Sequence, residues 1–253
     1  MTAPIIEGAE PFSAEGGPHG ALVLHGFTGN PQSMKGIARA LAGAGHAVEC
    51  PRLPGHGTAI EDMLDTTWAD WSAAAEAALE SLQARLGEGG RIVVAGLSMG
   101  GTLTAWLATR HPELAGIALV NALAEPPGDL RALVDGAIAE GTETFPGIGS
   151  DIALEGSVES AYEASPLRPL RSLLDAVEAL QPDLPSIACP VLLLTSPQDH
   201  VVPASNSDHL AAAVGGAVER VTLERSYHVA TLDHDADLIE QRIVEFAAKC
   251  FAG

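Results

Sequence analysis

The stretch Arg91-Ile-Val-Val-Ala-Gly-Leu-Ser98-Met-Gly-Gly-Thr-Leu-Thr104 constrains the fold more than any other part of the chain. Its first half, Ile92 to Ala95, is short, apolar and largely β-branched and stops at Gly96, whereas its second half reads as a helix from Met99. Ser98 stands at the hinge, and Gly96, Ser98 and Gly100 spell G-x-S-x-G. That spacing marks a tight strand-to-helix turn that holds a serine hydroxyl above a sheet. The turn residue is kept in a sparsely populated backbone conformation, and glycines two positions to either side let neighbouring chain pass without a Cβ clash. The new helix then directs unpaired N–H groups toward charge developing on a substrate. A dinucleotide-binding reading fails, because Ser98 takes the place of the middle glycine of G-x-G-x-x-G.

The chain around this turn alternates between strand and helix signals. Gly20 to His25 reads as a buried strand, Gly26 to Pro31 as a turn-rich loop, and Ser33 to Ala44 as a helix with Met34, Ile37, Ala38 and Leu41 on one face. His46 to Cys50 is a short strand. Thr67-Trp-Ala-Asp70 matches a capping box, with Asp for the usual Glu or Gln, opening an alanine-rich helix to about Leu86. A strand from Gly116 to Asn121 follows the elbow helix. Later come a strand over Pro190–Ser196, a helix over Ala204–Val214, a strand over Val218–Leu223 and an amphipathic helix from Ala236 to Cys250. Such alternation predicts an α/β fold, a mostly parallel sheet with helices on both faces. The pattern breaks between residues 122 and 186, where Pro126-Pro127, a glycine-rich passage from Gly141 to Gly149 and short helical segments near Ala161 and over Leu170–Leu180 occur without a clear strand. This span is expected to be an insertion over the carboxyl edge of the sheet, more mobile than a core formed by residues 1–121 and 187–253.

Composition narrows the possible partners. The chain has 253 residues, 47% of them hydrophobic, enough for one large core with an inserted subdomain. Its net charge of −20, from 33 acidic against 13 basic residues, lacks the basic footprint that nucleic acid or an anionic membrane surface requires. The first residues carry no basic segment followed by a long apolar one, and no stretch approaches the roughly 20 apolar residues of a membrane span. Cys50, Cys189 and Cys250 are odd in number and widely spaced, which suits a reducing cytoplasm better than a disulfide framework. A cytoplasmic protein without stable membrane insertion is the expectation.

A serine nucleophile needs a base within hydrogen-bond reach and a carboxylate to orient it. After an elbow of this kind the chain order is Ser, then Asp or Glu, then His. His228, in Arg225-Ser-Tyr-His-Val229, lies just past the last predicted strand, where a base must sit. His111 reads as a helix-end residue, and His209 and His234 as solvated. Asp199, in the loop after the Pro190–Ser196 strand, falls between nucleophile and base in chain order. Asp233, Asp235 and Asp237 follow His228 too closely and read as a loop leading into a helix cap. His228, Asp233, His234 and Asp235 share one short loop without a recognised metal-ligand spacing. The oxyanion requires two N–H donors: that of Met99, after the nucleophile, and one from the loop His25-Gly-Phe-Thr-Gly29, for which Phe27 is the candidate. His25 and His56 read as buried structural histidines.

Taken together, these residues resemble the bacterial monoacylglycerol lipases and their carboxylesterase relatives, α/β-hydrolases with a small cap. The resemblance runs over nearly the whole chain, through Gly8-Ala-Glu-Pro-Phe12, His25-Gly-Phe-Thr-Gly29, Pro51-Arg-Leu-Pro-Gly-His-Gly-Thr58, Gly96-Leu-Ser-Met-Gly-Gly101, Ile148-Gly-Ser-Asp151, Asp199-His-Val-Val-Pro203 and Ser226-Tyr-His-Val-Ala-Thr-Leu-Asp233. It implies a triad of Ser98, Asp199 and His228, with Phe27 and Met99 as oxyanion donors. It also implies hydrolysis of monoacylglycerols and other short- to medium-chain carboxylic esters through an acyl-enzyme, with no metal or cofactor. By the same resemblance Ile148 lies over the acyl path, Glu159 accepts hydrogen bonds from glycerol hydroxyls, and Asn121 is a third substrate contact. The passage from Glu125 to Phe145 matches the family least, and no motif specifies acyl length or oligomeric state. Two alternatives stay open: a general carboxylesterase indifferent to glycerol, and a ligand receptor on the same fold. A dehalogenase or epoxide hydrolase would carry Asp at position 98.

Overall fold

The central strands are apolar along their whole length, the pattern of strands covered on both faces. In the computed structural model, which describes residues 3–125, 128–147 and 149–252, each such run is shared between two cores. In β2 (Gly20–Leu24), Ala21 and Val23 enter one core while Leu22 and Leu24 enter the other. The same division holds in β4 (Ile92–Leu97) and in β8 (Val191–Thr195), where Leu192 and Leu194 oppose Val191 and Leu193. This is the two-residue period of a pleated strand read out on both faces.

Seven strands form the sheet in the order β1-β3-β2-β4-β5-β8-β9. β1 (Phe12–Ala14) pairs antiparallel at one edge with β3 (Ala47–Cys50); β5 (Gly116–Val120) and β9 (Val218–Thr222) complete a sheet otherwise parallel throughout. Helices α1 (Lys35–Gly43) and α8 (Ala236–Ala252) pack on one face. α3 (Trp68–Leu86) and α4 (Met99–Arg110) pack on the other, joined by α7 (Ser205–Ala213), with the single turn α2 (Ile60–Met63) before α3. The Thr67 capping box forms as read, with the Thr67 N–H donating to Asp70 Oδ2 at 2.8 Å. β3 lies on one side of β2 and β4 on the other, so the winding direction reverses between β2 and β4. In open α/β sheets that crevice is where ligands bind.

The elbow strand runs two residues further than expected. Gly96 pairs with Leu24 and Leu119, and Leu97 with Val120, before the turn. Between β5 and β8 the differences are larger. Helix α5 (Gly128–Ala139) was not expected, although Leu130, Val134, Ala137 and Ile138 keep helical spacing; Gly128 and Gly136 obscure it. A two-stranded antiparallel sheet, β6 (Thr144–Pro146) with β7 (Ala164–Pro166), stands where no strand was expected. Its three-residue strands are too short to display a period. Helix α6 (Leu167–Leu180) starts three residues early, and the helix expected near Ala161 is extended chain. Lateral bonds claim its backbone: the Tyr162 N–H donates to the Thr28 carbonyl, the Ser160 N–H to Gln32 Oε1, and Asn30 Nδ2 to the Ser160 carbonyl. Val134, Leu167 and Leu174 form a small separate core between α5 and α6. None of the described helices is long and apolar enough to cross a membrane.

Candidate active site

Three non-glycine residues among those described have positive φ: Thr28 at 61°, Ser98 at 55° and Asn121 at 43°. They lie beyond the carboxyl ends of the adjacent strands β2, β4 and β5. Backbone strain of this kind collects where function requires it. From Ile92 to Ala105 every residue is buried except Ser98, which is partly open. The glycines around it explain how such a turn fits. A Cβ on Gly96 would lie 2.1 Å from the Gly100 carbonyl oxygen, and one on Gly100 would lie 2.2 Å from that of Leu24. Both positions therefore exclude any side chain, so α4 can start directly against β2 and β4.

Asp199 and His228 meet as their positions in the chain suggested. His228 Nδ1 donates to Asp199 Oδ2 at 2.7 Å, with both side chains nearly closed to solvent. The other carboxylate oxygen of Asp199 accepts the N–H groups of Val201 and Val202, each at 2.8 Å. Those bonds fix the carboxylate, which in turn presents the imidazole with Nε2 free of Asp199. The Phe27 and Met99 N–H groups have no acceptor among the described residues. Neither could be satisfied by regular structure, since Phe27 lies in a loop and Met99 is the first residue of α4.

The histidines read as structural behave so. His25 Nε2 accepts from the Leu53 N–H at 3.1 Å and Nδ1 donates to the Gly26 carbonyl at 2.9 Å, which pins the loop bearing Phe27. Burial lowers its pKa to about 4, against the raising effect of the Gly26 bond, so the ring is neutral. His56 is held neutral chiefly by burial and secondarily by His25, and it packs edge-on against Phe27 and Trp71.

Glu159 lies against the loop that carries Phe27. Its Oε1 occupies the space over Gly29, where a Cβ would come within 2.6 Å. Burial raises its pKa, opposed by a hydrogen bond from Ser33 and by His228. Ile148 lies outside the described residues. The expectation for Asn121 is corrected. Its Nδ2 donates to the His228 carbonyl at 2.8 Å, to Ser196 Oγ at 3.0 Å and to the Tyr227 carbonyl at 3.3 Å, while Oδ1 accepts the Ser196 N–H at 2.8 Å. The amide is consumed within the protein, so Asn121 holds the loop of the base rather than a substrate.

Two carboxylates that end motif blocks of the sequence, with no role assigned to them there, tie the segment from Gly149 to Glu163 to the same loop. Asp233 accepts N–H groups from Ala153, Leu154, Tyr227 and His234. Burial works to raise its pKa, but these four donors prevail and hold it low. Asp151 Oδ2 accepts the His228 N–H at 3.0 Å and the His200 N–H at 3.1 Å. Asp235 is likewise engaged, by the Arg225 N–H and the Ser226 hydroxyl. The Asp233, Asp235 cluster therefore serves as scaffold for the His228 loop. Only mid-loop acidic residues beside predicted turns hinted at this.

The alpha/beta hydrolase family pattern matches residues 21–241. A thermostable monoacylglycerol lipase from Bacillus sp. (strain H-257) is 44% identical over 247 residues, 97% of each chain. A carboxylesterase from Bacillus subtilis (strain 168) is 27% identical over 95% of this chain and 96% of its own. A solved chain from a description of two metagenome-derived lipolytic enzymes, LipS and LipT, superposes with a TM-score of 0.92 at 40% identity, covering 97% of this chain and 100% of that one.

Proposed function

This chain belongs to the alpha/beta hydrolase family, and from that premise we propose that it is a serine carboxylic ester hydrolase that cleaves monoacylglycerols to fatty acid and glycerol. The observation that carries the reading is the placement of a partly open Ser98, in a strained turn, at the same sheet edge as the buried Asp199–His228 pair. The substrate class follows from the 44% identity to a monoacylglycerol lipase over nearly the full length of both chains.

Ser98 Oγ attacks the ester carbonyl while His228 Nε2 takes its proton. Asp199 holds the ring in the tautomer with Nδ1 protonated and stabilises the imidazolium that forms. The Phe27 and Met99 N–H groups receive the oxyanion, each contributing about 3 kcal/mol to the transition state. His228 gives its proton to the departing glycerol oxygen, then activates the water that cleaves the acyl-enzyme. No step draws on a metal or cofactor. Residues 122–186 form a cap inserted into a core of residues 1–121 and 187–253, and in it Glu159 accepts from the glycerol hydroxyls. We assign the protein to the cytoplasm on its three unpaired cysteines, with neither nucleic acid nor membrane insertion in its working state.

The test is fatty-acid release from matched mono-, di- and triacylglycerols and an ethyl ester. Wild type is expected to prefer the monoacylglycerol, Ser98→Ala to be silent on all, and Glu159→Ala to lose only the monoacylglycerol preference. Equal wild-type rates on the ethyl ester would favour a general carboxylesterase, as the Bacillus subtilis relative is named. A Ser98→Ala protein with wild-type turnover would refute the mechanism.

A further inference from the structure

We propose that Asp151 is a positioning residue for the base: a carboxylate of the cap segment that sets the loop of Asp199 against the loop of His228. The inference rests on the assignment of Ser98, Asp199 and His228 above. The bond between His228 and Asp199 is 2.7 Å long, and the two residues leave different strands; Ser196 Oγ joins their loops on one side by donating to the Tyr227 carbonyl at 2.9 Å, and Asp151 joins them on the other. Asp151 touches both. Its Oδ2 accepts the backbone N–H of His228 itself at 3.0 Å and that of His200, the neighbour of Asp199, at 3.1 Å. Its Oδ1 faces His200 Nδ1 at 2.8 Å, and its carbonyl accepts the Val229 N–H at 3.0 Å. Its side chain is only 13% exposed while that of His200 is 62% exposed, so of these contacts the bond to the His228 N–H is the sheltered one.

A single carboxylate oxygen shared by two N–H groups works as a fixed pivot. Charge-assisted bonds of this type are short and about twice as strong as neutral ones. Asp233 secures the same segment from behind through Ala153 and Leu154, so Asp151 presses from a braced position. The charged groups facing the His228 loop are Asp199, Asp151 and Glu159, with Asp233 and Asp235 anchoring Tyr227 and Ser226 and Arg225 pairing with Asp235.

The test compares Asp151→Ala, Asp151→Asn and His200→Ala with wild type and Ser98→Ala, with kcat and KM on a monoacylglycerol expressed per site titrated by an organophosphorus ester. Asp151→Ala is expected to lose about 10- to 100-fold in kcat with KM within about twofold, since a misplaced base costs turnover and Asp151 meets no substrate. The acid limb of kcat/KM should move to lower pH by at least ~0.5 unit, because a slackened Asp199 bond favours the imidazolium less. Asp151→Asn keeps the volume and can keep its carbonyl oxygen on the two N–H groups, but those bonds lose their charge assistance, so it should lose about threefold or more in kcat even if Asp151→Ala does not fold. His200→Ala removes only the exposed ring contact and should stay within about threefold. Unchanged kcat per titrated site in both Asp151 variants, with Ser98→Ala silent, would overturn this inference alone. So would a loss carried by KM, or one with an unmoved acid limb, which marks a merely structural role. An active Ser98→Ala would remove the underlying assignment as well.

Discussion

Replacing Gly100 by Ala isolates the contribution of the close approach between α4 and β2. The added Cβ would fall 2.2 Å from the Leu24 carbonyl oxygen and 2.7 Å from that of His25, atoms of the rigid backbone leading into the Phe27 loop. Real Cβ contacts do not fall below 3.0 Å, so the start of α4 must recede by about 0.8 Å in a close-packed interior. Met99 is the adjacent residue, and its N–H recedes with the helix while that of Phe27 stays with β2. A misplacement near 1 Å at reacting groups costs about 100-fold, in line with the loss of about 10² to 10³ when an oxyanion donor is removed. We expect kcat to fall about 100-fold with KM nearly constant, because the donors act on the transition state more than on the bound ester. Helix propensity pushes the opposite way, favouring Ala over Gly by up to about 1 kcal/mol. Initial rates on a soluble ester, with active sites titrated and the melting temperature recorded, decide the matter. A Gly100→Ala enzyme within about threefold of wild-type kcat would refute the steric account, since the clash would then have been absorbed without moving Met99.

Two further substitutions probe stability. The buried Tyr162 hydroxyl donates to the Gly55 carbonyl at 2.7 Å and accepts the Thr58 N–H at 3.1 Å, so Tyr162→Phe orphans two backbone groups. The expected cost is about 2 kcal/mol, a fall of roughly 4–8 °C in Tm by calorimetry, and a shift below about 1 °C would contradict it. His111 bridges Glu113 and Glu76, which raise its pKa against the lowering effect of burial. A pKa raised by folding adds stability that is full below the unfolded value near 6.5 and is lost as pH rises through the folded one. His111→Gln should therefore lower Tm at about pH 6 and leave it unchanged at about pH 9, as thermal scans across that range would report.

The chemistry-bearing positions were legible because local sequence dictates them. Gly96 and Gly100 admit no Cβ, Ser98 needs a turn between strand and helix, Asp199 follows the apolar run of β8, and His228 comes after β9, the last strand of the sheet. The capping box at Thr67 was readable for the same reason, since its bonds span three residues. What sequence concealed depends on partners far along the chain. Residues near Ala161 have the composition of a helix, yet Thr28, Asn30 and Gln32 claim their backbone groups. Asn121 was misassigned because position beside the site does not reveal that four protein atoms already occupy its amide. Asp151 and Asp233 stand in motif blocks, but their roles exist only once residues 149–163 meet the His228 loop.

The inserted span thus divides into two portions with unequal liberty to vary. Residues 149–163 share hydrogen bonds with the loops of His228 and Phe27 through Asp151, Asp233, Ser160 and Tyr162, so a change there perturbs catalysis itself. Residues 128–147 pack instead on α6 through their own small core around Val134. Mutations accumulating in that outer portion meet a core of its own, separate from the hydrogen bonds that hold the His228 loop. A library confined to α5 and β6 is therefore the one expected to keep the loops of Ser98, Asp199 and His228 folded, and the neighbouring strap is best left as it is.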